Sequence, residues 1–212
     1  LRSAARYGCP LILGTGMATM QEVEEAATVL KQAGARDVVF LHCTSNYPCR
    51  ISEVNLRAMR SMAETLKMAV GYSDHTLGIQ VPVMAVSMGA VVIEKHFTID
   101  RNLPGPDHVC SLEPHELKEM VSQIRKAEHI LGSDRKEPNG SEYATMAVAR
   151  KSLVTSMPMR AGETFTPANL TIKRPGTGLL PKQYDRVLMQ RASRDLPADT
   201  VLQADDIRGW SV

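Results

Sequence analysis

Two histidines stand out by position. His75 closes the run Gly71-Tyr72-Ser73-Asp74, and His96 closes Glu94-Lys95. Each stands where an apolar run stops and a glycine- or proline-bearing loop begins. Twenty-one residues separate them, close to one strand–helix–strand repeat. Imidazole is a common ligand for divalent transition metals, so two histidines at the ends of neighbouring parallel strands could share one ion and leave positions open for water and substrate. The competing reading is a hydrogen-bonded histidine pair without metal, since spacing fixes no third ligand. Ser73 adds a hydroxyl, and the Gly-Tyr-Ser run adds backbone N–H donors, in a loop of the kind that binds phosphate in barrel enzymes.

Other candidates lie on neighbouring loops. Thr44-Ser45-Asn46-Tyr47-Pro48 follows an apolar run and offers hydrogen bonds suited to a polyhydroxylated ligand. Asp107, after Pro104-Gly105-Pro106, is either a rigidly placed carboxylate or an ordinary turn aspartate. Arg174 opens the glycine-rich run Arg174-Pro175-Gly176-Thr177-Gly178, and arginine suits bidentate recognition of anions. His42, His108, His115 and His129 carry no pattern that assigns them a role.

The elements that must position these groups follow a βα alternation. Cys9–Gly14 reads as a buried strand, continuous in its apolar residues as parallel strands covered on both faces are. Thr19-Met20-Gln21-Glu22 fits a capping box, and the helix it opens carries Val23, Ala26, Ala27, Leu30 and Ala33 on one face. Asp37–Cys43 is the next strand and Ser52–Leu66 the next helix. Met68–Tyr72 is the third strand, with Ser73, Asp74 and His75 in the loop after it. A helix over Ile79–Met88, a fourth strand over Ala90–Lys95 and a helix from Pro114 to Leu131 complete the series. Strict alternation predicts a parallel sheet with right-handed crossovers. Four such units are about half of an eight-unit TIM barrel, which needs ~250 residues; the alternative is a lean open sheet. In the fourth strand Val92, Glu94 and His96 share one face, as suits a barrel mouth.

Residues 132–149 change to a polar linker, and residues 150–212 have short strand-like runs between turns. Within them Ala161–Leu170 aligns without gaps on Ala198–Ile207, which predicts two similar corners in a compact β-rich domain. The chain has 212 residues, 43% hydrophobic and 23% charged, with a net charge of +2, which is ordinary for a soluble globular protein. No basic run with interleaved aromatics points to nucleic acid. The longest apolar runs fall far short of the roughly 20 residues of a membrane span. Leu1–Arg6 lacks the apolar core of a signal peptide. Four cysteines without metal-type spacing read as buried, reduced thiols in a cytoplasmic protein. The chain opens on leucine, inside what reads as a helix, as a piece of a longer protein does.

Taken together, several stretches resemble the sialic acid synthase family, meaning N-acetylneuraminate synthase and its bacterial relatives. They are Gly14-Thr15-Gly16-Met17, His42-Cys43-Thr44 with Tyr47-Pro48, Gly71–Gly78, Glu94-Lys95-His96-Phe97-Thr98, Pro104-Gly105-Pro106-Asp107 and Lys173–Gly178. They occur in the family's order across nearly the whole chain. The resemblance implies the C-terminal half of a TIM barrel over residues 1–131, the linker over 132–149, and an antifreeze-like (SAF, β-clip) domain over 150–212. It implies condensation of phosphoenolpyruvate with an N-acetylated amino sugar, in which C3 attacks the open-chain aldehyde and phosphate is released. His75 and His96 would hold Mn²⁺ or Mg²⁺ and, with Asp107, act as the catalytic set.

By the same resemblance Ser73 contacts phosphoenolpyruvate, while Tyr47 and Asp107 lie at the sugar. Ser45 stands where some members carry asparagine, and Gly14 where some carry serine. Arg174 matches an arginine that reaches the active site of the partner subunit, which implies a domain-swapped homodimer. Relative to the family, the first four βα units are missing, with the lysines and acidic residue they carry, so no turnover is expected from this chain alone. Legionaminic, pseudaminic and spore-coat polysaccharide precursors are alternative products. A non-catalytic fragment whose SAF domain mediates binding or assembly is the reading from another class.

Overall fold

The computed structural model describes residues 1–211. Two compact units divide at Ser133 and Asp134, and each is taken by itself. The first begins with a short helix α1 (Arg2–Ala5) and then alternates β1 (Leu11–Gly14), α2 (Met20–Gln32), β2 (Val38–Cys43), α3 (Arg57–Leu66), β3 (Val70–Asp74), α4 (Gln80–Ser87), β4 (Ile93–Lys95) and α5 (Pro114–Leu131). The strands pair in chain order, β1-β2-β3-β4, and every pair is parallel. That is the topology the alternation dictates.

Local chemistry sets the helix starts. The Thr19 hydroxyl accepts from the Glu22 N–H while the Glu22 carboxylate accepts from the Thr19 N–H at 2.7 Å, a complete capping box for α2. That backbone hydrogen bond holds the Glu22 carboxyl below its usual range. Pro114 occupies the first turn of α5, where its missing N–H costs nothing. The expected helix over Ser52–Leu66 is broken. A 3₁₀ turn spans Ile51–Glu53, Asn55 takes φ 47°, and α3 begins only at Arg57.

The register separates two faces of the sheet. Leu11, Leu13, Val38, Phe40, Val70, Tyr72 and Ile93 pack against Val23, Leu30, Met59, Met62, Val81 and Ala85 from the helices. The residues between them, Ile12, Leu41, Gly71, Ser73 and Glu94, lie on the other face by strand alternation. Gly71 makes room there. A Cβ at this position would come within 2.5 Å of both Leu41 Cδ2 and the Val92 carbonyl oxygen.

Every strand starts later than expected, β1 at Leu11, β2 at Val38, β3 at Val70 and β4 at Ile93, and β3 also ends later. β3 runs on through Ser73 and Asp74, because both find register partners in Glu94 and Lys95. The regular part of β4 is only Ile93–Lys95, although Val91 and Val92 already bond to β3 through Val70 O and Tyr72 N.

The second unit starts with helix α6 (Glu142–Ala149), which lies in the stretch read as a polar linker. It continues with an antiparallel pair, β5 (Ser152–Thr155) and β6 (Leu170–Lys173), and a short helix α7 (Tyr184–Val187). Leu153, Met159, Phe165, Leu170, Val187, Leu196 and Leu202 form its core. The internal repeat is a structural one. Phe165 and Leu202 are both fully buried, and Gly162 and Asp199 both take left-handed backbone. Asn169 Oδ1 accepts from the Thr166 N–H at 2.7 Å, as Asp206 Oδ2 accepts from the Gln203 N–H at 2.9 Å. Among the described residues, no helix is long and apolar enough to cross a membrane.

Candidate active site at the strand ends

The chemistry-bearing residues of the first unit gather beyond the C-terminal ends of its strands, where parallel α/β folds place their sites. Strand alternation directs Ser73 and Glu94 to the face away from the helices, and the Ser73 hydroxyl donates to Glu94 Oε1 at 2.7 Å. His75 and His96 come two residues later on the same two strand ends, and their rings lie 5.4 Å apart. Tyr47, from the loop after β2, lies 4.1 Å from the His75 ring and 5.4 Å from the His96 ring.

His75 is 8% exposed and held from behind. Its Nδ1 lies 2.7 Å from the carbonyl oxygen of Thr44, an obligate acceptor, so Nδ1 carries a proton and, in the neutral ring, Nε2 presents the lone pair. This is the arrangement that orients a metal-binding histidine. Two imidazoles sharing one ion at N–metal distances of roughly 2.1 Å put their ring centres about 5 Å apart, and the observed spacing fits. Among the described residues, no group of three or more histidine, cysteine or carboxylate side chains is placed to hold a metal. The two histidines alone could supply only part of a metal's ligands.

The remaining candidates fall in three places. Ser45 stands beside Gly16, whose bare Cα admits it, since a Cβ there would lie 2.0 Å from Ser45 Oγ. Gly14 faces only Cys43 Sγ, at 3.7 Å from where a Cβ would stand. Asp107 is exposed, and the contacts of its residue are made by its carbonyl, which accepts from Ser111 Oγ at 2.6 Å. Its carboxylate is near enough to act on Tyr47. Desolvation first, then the nearby carboxylates of Asp107 and Glu94, raise the Tyr47 phenol above its ordinary value. Arg174 belongs to the second unit, where it is exposed and its Nε donates to the Ala149 carbonyl at 3.2 Å.

Several contributors have no place in the list of candidates drawn from the sequence. Glu94 shares its strand face with His96, and that parity was the available signal. Asp74 and Lys95 form a buried ion pair with no signal at all, since they are distant in sequence. Thr44 acts through its backbone. The cysteines are all free, but only Cys49 and Cys110 are buried; Cys9 is exposed and Cys43 half-buried, correcting the expectation of four buried thiols. Desolvation raises the Cys43 thiol, which keeps it protonated. His42 donates from Nε2 to the Val54 carbonyl, and His108 bonds Thr98 through Nδ1, so both have structural partners.

A cleft of about 550 Å³ lies at the opposite, N-terminal ends of the strands, lined by Lys31, Arg36 and Lys67 among others. It brings no catalytic pair together, and the strand-end cluster is the better candidate.

Residues 1–136 match the NeuB family. The chain belongs to the NeuB family. Residues 150–208 match the SAF domain. This NeuB-family chain is 44% identical over 206 residues to the N,N'-diacetyllegionaminic acid synthase of Legionella pneumophila, covering 95% of this chain and 58% of that protein. Among solved structures, the spore coat polysaccharide biosynthesis protein of Bacillus subtilis is 36% identical with a TM-score of 0.59, over 97% of this chain and 63% of that one. The sialic acid synthetase of Leptospira borgpetersenii is 38% identical with a TM-score of 0.64, over 68% and 50%. The NeuB-family chain thus spans about three-fifths of the length of the curated relatives it matches.

Proposed function

We propose that this chain is the C-terminal half of a TIM-barrel nonulosonic acid synthase together with its SAF domain, and that it condenses phosphoenolpyruvate with an N-acetylated amino sugar and releases phosphate. The observation that carries the reading is the histidine pair. Its rings are 5.4 Å apart, and the Thr44 carbonyl leaves Nε2 of His75 free as a donor to a cation. His75 and His96 would hold Mn²⁺ or Mg²⁺, which when bound supplies a Lewis acid for the sugar carbonyl.

The chain's own residues do the rest. The Ser73 hydroxyl, which donates to Glu94 at 2.7 Å, would turn to donate to the phosphoenolpyruvate anion. Tyr47 forms an apolar wall over His75, with a phenol that stays protonated and can donate to a sugar oxygen. Asp107, exposed on the loop after β4, is free to accept from a sugar hydroxyl. Arg174 would complete the site of a partner subunit in a domain-swapped homodimer, adding a guanidinium suited to a carboxylate. The Legionella relative favours a diacetylated sugar as acceptor, ahead of N-acetylmannosamine.

The test has two arms. Mn²⁺ is titrated into the 212-residue chain and into His75→Ala and His96→Ala, and followed by electron paramagnetic resonance. Binding by the parent, lost in both folded variants, is expected; binding that survives both substitutions overturns the reading. Phosphate release from phosphoenolpyruvate is then assayed with each sugar, using the chain alone and fused behind the unmatched N-terminal segment of the Legionella relative. Turnover is expected only from the fusion.

A further inference from the structure

We propose that Asp74 and Lys95 are positioning residues that jointly aim His75 and His96 at one point. Asp74 immediately precedes His75, Lys95 immediately precedes His96, and the two are register partners across β3 and β4. Their side chains meet at 2.6 Å with exposures of 0% and 3%. Lys95 Nζ makes a second bond of 2.6 Å to the carbonyl of Thr76, the residue after His75. The Asp74 carboxylate also accepts from the N–H and the hydroxyl of Thr76, each at 3.1 Å. One ammonium group rooted beside His96 therefore grips the residues on both sides of His75.

Alternation puts this pair on the helix side of the sheet, while the Ser73–Glu94 hydrogen bond lies on the site side at the preceding register position. The two strand ends are stitched on both faces directly before the histidines. The Cys49 N–H donates to the His75 carbonyl at 2.7 Å, and the Thr44 carbonyl takes the Nδ1 proton, so little freedom remains in that turn. Removing two charges from water costs about as much as their attraction returns. The pair thus contributes direction rather than net stability. Its use in holding a cation rests on the proposed function; its geometric effect on the rings does not.

The test is the double variant Asp74→Asn/Lys95→Met in the 212-residue chain, with ¹⁵N-labelled histidine and long-range ¹H–¹⁵N correlation, alongside Mn²⁺ titration. In the parent, His75 is expected as the Nδ1–H tautomer alone, with slow exchange of that proton. The variant is expected to fold with a near-parent melting temperature, to show a mixture of tautomers, and to exchange the proton about tenfold faster. Where the parent binds Mn²⁺, the variant is expected to bind it at least about tenfold more weakly. A folded double variant with the parental tautomer and protection overturns the proposal. Should that variant not fold, Thr76→Val keeps both charges and cuts one bond to Asp74; faster Nδ1–H exchange supports the proposal, and unchanged exchange overturns it. A parent that shows the single tautomer but binds no Mn²⁺ refutes the metal reading and leaves the positioning role standing.

Discussion

Replacing Gly71 by alanine is the sharpest test of how the strand ends are brought together. The added Cβ would stand 2.5 Å from Leu41 Cδ2, 2.5 Å from the Val92 carbonyl oxygen and 3.0 Å from Val92 Cβ. Leu41 can change rotamer only within a fully buried site, and the Val92 carbonyl is committed to the Tyr72 N–H at 2.9 Å. Both neighbours resist, so the cost belongs at the upper end for overpacking, about 3 kcal/mol. At roughly 2–4 °C per kcal/mol for a chain of this size, the melting temperature should fall by roughly 6–12 °C. Gly14→Ala is the control on the same face, since its Cβ would meet only Cys43 Sγ at an ordinary 3.7 Å. It should move the transition by less than about 1 kcal/mol. Thermal unfolding followed by far-UV circular dichroism reads both. A Gly71→Ala protein that melts with the parent would refute the claim that β3 and β4 need a bare Cα at this crossing.

Two further outcomes follow from the second unit and from the loop after β4. Asn169, nearly fully buried, bonds the Thr166 N–H and the Thr164 carbonyl, so Asn169→Ala leaves both backbone groups unpaired and should cost about 2 kcal/mol in urea unfolding. A shift within error would show that the repeated corner does not depend on its side-chain bridge. Glu116 has its pKa lowered from 4.5, chiefly by the hydrogen bond from Arg101 and then by the Glu113 N–H. The unfolded chain therefore takes up that proton first, and the stabilisation is present above about pH 4.5 and lost as pH falls through the lower folded value. Arg101→Leu should flatten the fall in melting temperature between about pH 6 and about pH 3, and parallel curves for variant and parent would contradict this assignment.

The parallel alternation, the α2 capping box and the shared face of Glu94 and His96 were legible in the sequence because each depends on neighbours a few residues apart. Period, cap chemistry and strand parity are local properties. The repeat of Ala161–Leu170 in Ala198–Ile207 was legible for the same reason, since each copy closes its own turn through Asn169 or Asp206. The end of β3 was not. Ser73 and Asp74 look like loop residues on composition, and only their pairing with Glu94 and Lys95 makes them strand. The break before α3 was missed although a signal was there, since asparagine adopts left-handed backbone more readily than most residues, as Asn55 does.

The site divides along the same line. Sequence alone supplied two histidines, a tyrosine and a serine on neighbouring loops. Tertiary structure decided that Tyr47 packs on His75, that the Thr44 carbonyl chooses its tautomer, and that Asp74 and Lys95 meet behind the rings. Those relations span 21 to 31 residues of chain. They arise because parallel strands side by side bring residues to one edge that no local period can connect.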